Sequence, residues 1–182
     1  FNLGKVMDVP VELETFEFNF STLHQNLHVK LESLHTPDHQ SPEQVQINAI
    51  LSANDVIDGN IDLGKLISIE QNGTALAFDT KRISDKKIGI TIKEVHRGDQ
   101  DSKVYIRWKG SLIHASSGEQ VINIPAKNNF QIVQVQVVNG EDQHIKIHFS
   151  DPLGAVQDLE GLVKIGTRAL RLEINEHMLL AY

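Results

Sequence analysis

The sequence predicts an all-β chain, an antiparallel β-sandwich followed by a second, partial sandwich unit. Three observations predict it. Apolar residues recur with a period of two along most of the chain. Tight-turn dipeptides separate the alternating runs. One strand–turn–strand pattern occurs twice. Side chains on a strand point alternately to opposite faces, so a period of two means one packed face and one wet face. That arrangement favours antiparallel over parallel pairing.

Along the chain, the first strand region carries a phase slip. Val11 and Leu13 are odd and Phe16, Phe18 and Phe20 are even, and one extra residue near Glu14–Thr15 would restore the register as a β-bulge. His35–Glu43 holds two prolines and reads as a loop. Val45, Ile47, Ala49 and Leu51 alternate with Gln46, Asn48 and Ile50. Asp62–Ile67 has the makings of a single helical turn, weakened by Gly64. Asn72-Gly73 separates strands at Leu66–Glu70 and Thr74–Phe78, and Asn139-Gly140 separates Gln131–Val138 from Gln143–Phe149. Asn and Gly tolerate the positive φ that tight hairpins need. Ile88, Ile90 and Ile92 form the next alternating run, then Val104, Ile106 and Trp108. Lys109-Gly110 and Ser117-Gly118 punctuate the runs after Trp108. Val133, Val135 and Val137, and then Ile145, Ile147 and Phe149, complete the set.

The repeat pairs Gln46–Ile69, QINAILSANDVIDGNIDLGKLISI, with His144–Ile165, HIKIHFSDPLGAVQDLEGLVKI. Each copy runs strand, Ser, acidic or small turn, aliphatic residue, polar stretch, then an Asp-Leu…Ile strand. A strand-rich unit thus starts near residue 10 and again near residue 129. The expected division is 1–127 for the first sandwich and 128–182 for a truncated second unit, joined at Ile124–Asn129. The second stretch has too few strands to close two sheets.

Composition sets limits. A chain of 182 residues suggests one or two domains and is long enough to hide ~60–70% of its unfolded surface. Cysteine is absent, which excludes disulfides, thiol nucleophiles, iron–sulfur clusters and cysteine zinc sites. It does not fix the redox compartment. Seventeen basic against twenty-four acidic residues leave a net charge of −7, and the basic residues are scattered, so a nucleic-acid surface is not expected. No apolar run approaches the ~20 residues of a membrane helix. The chain begins at Phe1 without a visible signal peptide and ends at Tyr182 inside the second copy, as expected of an excised or processed piece.

The candidate chemistry is sparse. His24/His28 and His144/His148 are four apart. On a strand that spacing is ~13 Å. Zinc–nitrogen bonds span only ~2.0–2.1 Å, so one such pair cannot chelate an ion. His144, Lys146 and His148 are therefore expected to form a solvated face, and His35 and His39 an incidental polar loop. Ser150-Asp151-Pro152-Leu153 lacks a Gly-x-Ser-x-Gly elbow and is read as a turn with an Asp cap. Asp55–Asp62 has three acids but departs from the calcium-loop pattern. Trp108 is expected in the core. No glycine-rich phosphate loop follows a strand. No catalytic, metal or cofactor residue is assigned, and the chain is not expected to be an enzyme.

Val9–Ser21 (VPVELETFEFNFS), Phe149–Leu153 (FSDPL) and Leu159–Ile165 (LEGLVKI) together resemble the N-terminal macroglobulin-like domains of bacterial alpha-2-macroglobulins, above all the Bacteroidetes type. The resemblance covers most of the chain. It implies an Ig-like or macroglobulin-like sandwich, and a non-enzymatic structural part of a large periplasmic protease trap. Such proteins are usually anchored to the inner membrane by a lipid, here expected on a Cys ahead of Phe1. Many carry a downstream Cys-Gly-Glu-Gln thioester, which this cysteine-free segment does not. The implied partners are downstream domains of the same polypeptide and, through the whole protein, target proteases. The alternative expectation is a cell-envelope, adhesin-like Ig-fold module whose loops hold a glycan, peptide or ion.

Overall fold

The computed structural model describes residues 5–6, 9–10, 24–36, 41–154 and 158–182. The expected bulge near Glu14–Thr15, the phenylalanine strand at 16–20 and the Pro37–His39 part of the loop lie outside these residues.

The chain opens with a two-strand ribbon, β1 (Lys5–Val6) and β2 (Val9–Pro10). The long strands β3 (Leu27–His35) and β4 (Gln44–Ala53) come next. A single turn, α1 (Leu63–Leu66), leads into β5 (Ile67–Gln71) and β6 (Thr74–Ala75). After these come β7 (Asp79–Ser84), β8 (Lys87–His96), β9 (Ser102–Trp108), a 3-10 turn at Gly110–Ile113 and β10 (Gly118–Ile124). The rest of the chain forms β11 (Ile132–Val138), β12 (His144–Phe149), β13 (Lys164–Ile165), β14 (Arg168–Ala169), β15 (Leu172–Asn175) and β16 (Met178–Ala181). The ladders between named strands are antiparallel. The fold is all-β, as the alternation predicts.

Three four-stranded sheets result, ordered β3-β4-β8-β7, β10-β9-β5-β6 and β11-β12-β16-β15. The first two face each other as a sandwich. Val45, Ile47, Ala49 and Leu51 of β4 and Ile88, Ile90 and Ile92 of β8 meet Ile67, Ile69, Val104, Ile106, Ile122 and Ile124 of the opposite sheet in one core. Burying each such side chain is worth roughly 1.5–3 kcal/mol, which makes this core the main source of stability. Gln71 joins the sheets at one end: its amide donates to the His96 carbonyl at 2.6 Å and accepts from the His96 N–H at 2.9 Å.

Local chemistry explains the connections. Asn72 and Gly73 both have positive φ, 51° and 79°, as a two-residue hairpin between β5 and β6 requires. The strand after that turn is shorter than the expected Thr74–Phe78, since pairing stops at Ala75. Asn139-Gly140 opens a longer loop instead, because Val138 pairs with His144 and leaves 139–143 unpaired. Asp62 caps α1 by accepting from the Gly64 N–H at 3.0 Å, so the weak helical turn does form. One local feature of the repeat recurs in three dimensions. Asp158 accepts from the Glu160 N–H at 3.0 Å, the same i to i+2 cap at the matching position of the second copy.

The stretch at 125–131 carries no strand and separates β10 from β11. Pro125 and Ala126 are buried in it, so this connection is packed rather than free. Gly110 is also buried, and a Cβ there would overlap the carbonyl oxygens of Ala115 and Ser116. Backbone cannot yield as a flexible side chain can. Gly110→Ala should therefore cost about 1–3 kcal/mol, whereas Gly59→Ala, with open space around it, should stay within about 0.5 kcal/mol. Urea unfolding followed by Trp108 fluorescence measures both.

Candidate functional site

Ser150 and Asp151 are where the third sheet meets the first sandwich. Arg97 leaves the end of β8 with its side chain fully buried. Its Nε donates to the Pro125 carbonyl at 2.9 Å and its Nη2 to the Ala126 carbonyl at 2.9 Å. Nη1 donates to Asp151 Oδ1 at 2.5 Å and to the Ser150 carbonyl at 3.5 Å, and Nη2 also reaches Asp151 Oδ2 at 2.8 Å. All five guanidinium N–H groups thus have acceptors, including a bidentate carboxylate. Ser150 Oγ donates to Asp151 Oδ2 at 2.7 Å and accepts from the Gln131 N–H at 3.0 Å. The turn reading of Ser150–Asp151 holds in its structural sense, but the acceptor role differs. Asp151 binds Arg97 and the Ser150 hydroxyl rather than capping backbone N–H groups. Burial pushes its carboxyl up, and the Arg97 and Ser150 hydrogen bonds with the Arg97 charge outweigh this, leaving it below its ordinary 3.8.

The histidines divide into two sets. His24 and His28 are exposed. His148, expected on a solvated face, is only 7% exposed and is the main correction to the sequence reading. The cause lies in β11. Directly paired residues share a sheet face, and the register pairs Gln134 with His148 and Gln136 with Lys146. This polar face turns toward β3, where the Gln134 amide donates to the Leu31 carbonyl. His35, expected in a loop, is the last residue of β3 and stacks on His177 with ring centroids 4.5 Å apart and planes 7° apart. His148 lies 6.4 Å from His177. Burial lowers the pKa of all three below 6.5. For His177, the neighbouring His35 and His148 add to burial and take it to about 4, against an opposing pull from Glu176.

The acids of Asp55–Asp62 serve the backbone. Asp55 accepts from the Val56 N–H, Asp58 from the Asn60 N–H and Asp62 from the Gly64 N–H. Among the described residues no group of three His, Asp or Glu side chains is placed to hold a metal ion. Trp108 packs half-buried against the sandwich core and donates from Nε1 to the Ser116 carbonyl at 3.1 Å.

The opposite face of the third sheet is aliphatic. Register places Val135, Val137, Ile145, Ile147, Leu179, Ala181, Leu172 and Ile174 on it together. Val135 and Val137, expected to pack inward, are exposed instead. A groove of about 490 Å³ opens along this face, lined among others by Phe130, Ile132, Phe149, Leu153, Leu159 and Leu162. This groove is the candidate interaction surface. It is lined by the FSDPL and LEGLV stretches that the sequence singles out for other reasons.

Asp151→Ala should leave the Arg97 charge buried without its partner and cost about 3–5 kcal/mol. Because the folded carboxyl is depressed, its stabilising contribution is complete above the unfolded value near 3.8 and is lost as pH falls through the lower folded value. The wild type should therefore lose stability steeply below about pH 4, and Asp151→Ala should show a shallower loss there. Urea melts of both proteins across the acid range measure the difference.

No protein-family model, no curated protein and no solved structure matches this chain.

Proposed function

We propose that this chain is a non-enzymatic structural module that positions neighbouring β domains, in the manner of the N-terminal macroglobulin-like domains of a bacterial protease trap. One observation carries the reading. The two copies of the repeat align without a gap across Asp62–Ile69 and Asp158–Ile165, but only the first is covered. Leu66 is 1% exposed and its counterpart Leu162 is 69% exposed. Ile69 is 2% exposed and its counterpart Ile165 is 61% exposed. In the first copy the Asp-Leu…Ile segment ends in β5, which pairs with β9 and packs on a facing sheet. In the second it ends in β13, which pairs with the two-residue β14 in a sheet of two strands.

A sheet face of this kind is stable when another layer covers it. The occupant we propose is a further β segment of the same polypeptide, which would complete the second unit as β9 and β10 complete the first. Within Phe149–Leu153 and Leu159–Ile165, two of the stretches that carry the family resemblance, most residues have a structural task that fits this reading. Phe149, Pro152, Leu153, Leu159, Leu162 and Val163 line the groove, while Ser150 and Asp151 hold Arg97. Within such a protein, the periplasmic location, the lipid anchor and the protease partner would belong to the full-length chain. The acidic loop at Asp55–Asp62 gives the adhesin-like alternative no comparable support, because its carboxylates are engaged in turns.

Hydrogen exchange compares the 182-residue chain with the full-length polypeptide. Amides in 130–137 and 159–165 should exchange about tenfold or more slowly in the longer chain. Equal rates in the two proteins would sink the proposal. In the short chain, Leu162→Lys combined with Ile165→Lys should reduce binding of a hydrophobic dye and change the unfolding free energy by no more than about 0.5 kcal/mol.

A further inference from the structure

Each of the three clustered histidines, His148 buried and His35 and His177 half-buried, comes from a different strand or turn, and together they span the boundary between the first sandwich and the third sheet. His35 ends β3, His148 lies in β12 and His177 sits in the turn between β15 and β16. We propose that this contact is a proton-operated latch, closed while the imidazoles are neutral and released in mildly acidic conditions, with the Arg97–Asp151 pair as the hinge that stays joined.

The geometry suits the neutral state alone. Two neutral imidazoles stack well at 4.5 Å, whereas two imidazolium rings at that distance repel. His148 Nδ1 and Nε2 and His35 Nδ1 have no hydrogen-bond partner among the described residues, so a proton added there gains no acceptor. The cluster is not a chelating site. Nitrogen lone pairs lie in the ring plane, and the His35 and His177 planes are nearly parallel, so no ion can sit in both.

The charged neighbours do not cancel this. On β3, Glu32 faces His148 but is already paired with Lys30 at 3.3 Å. On β12, Lys146 opposes protonation of His148. In the β15–β16 turn, Glu176 favours protonation of His35 and His177, from 4.0 Å in the case of His177, but its side chain is largely exposed and screened. On β15, Glu173 pairs with Arg171. β11 adds no charge on this face, where Gln134 and Gln136 are neutral. Further along the same face of β12, His144 has its Nδ1 2.6 Å from the Asp142 carbonyl and its ring against Tyr182.

The lowered values set the sign. The separated sheet binds protons near 6.5 and the docked cluster binds them lower, His177 at about 4. Docking is therefore at full strength above the first value and weakens as pH falls toward the second. Asp151, held below 3.8, keeps its charge through that interval, so the hinge outlasts the latch.

Hydrogen exchange of the whole chain, corrected for intrinsic rates, tests this between about pH 7.5 and about pH 5. Amides of 132–138 and 144–148 should lose about tenfold or more of their protection at the lower pH while β4 and β8 keep theirs. The double variant His35→Gln, His177→Gln should lose most of that pH dependence. A flat wild-type response, or an unchanged response in the variant, would overturn the proposal. Should the variant fail to fold, an imidazole C–H titration of the wild type decides. Three rings titrating clearly below 6.5 support the latch, and three titrating at 6.5 overturn it.

Discussion

The molecule turns on the burial of one guanidinium. Arg97 has no exposed surface, and a charge placed there is tolerable only when every donor has an acceptor and a counter-charge is close. That requirement fixes three segments at once: the end of β8, the carbonyls at 125–126 and the carboxylate at 151. Ala126 is held a second time, its N–H donating to Asp101 at 2.7 Å. The passage from the second sheet to the third thus behaves as part of the core. Once it is set, β11 must run past β3, and the third sheet has no freedom to choose which of its faces meets the sandwich.

That choice explains what is legible in the sequence and what is not. The alternating isoleucines of β8 and the β4 run read correctly, because each strand lies in a sheet with one packed face, and the packed face is the apolar one. The same logic fails for β11. Val135 and Val137 are as regular as any strand in the chain, yet they face outward while Gln134 and Gln136 face β3. A period of two identifies two faces. It cannot say which of them is covered. The same step misplaces His148. Arg97 leaves no signal at all: an arginine in His96-Arg97-Gly98-Asp99 looks like a surface turn, and its carboxylate partner is 54 residues away. The repeat offers the best lead to the groove, since its two copies share a sequence pattern and a cap but differ in cover.

The third sheet therefore inverts the usual order of burial. Its polar face is docked and its aliphatic face is half open. The first sandwich has no such imbalance, because both of its sheets point their aliphatic faces into one core. A polar docked face gains little from the hydrophobic effect, which scales with apolar area removed from water. Val133 alone of β11 packs on the sandwich core, and the rest of what holds the face is directional: the Gln134 bond to Leu31, the stacked rings and the Arg97 pair.

Those directional contacts are unequal in a way that bears on mechanics. At the Arg97 end every donor is satisfied, and removing one partner strands a buried charge. At the histidine end Gln134 Oε1, Gln136 Nε2 and both nitrogens of His148 have no partner among the described residues. Each unsatisfied buried group costs about 1–3 kcal/mol relative to a satisfied one. One end of the interface is thus strongly made and the other is close to balance. A joint built this way yields first at the weak end and pivots about the strong one. Its motion would swing the aliphatic face of the third sheet relative to the sandwich, so cover on that face and charge on the histidines act on the same rigid element.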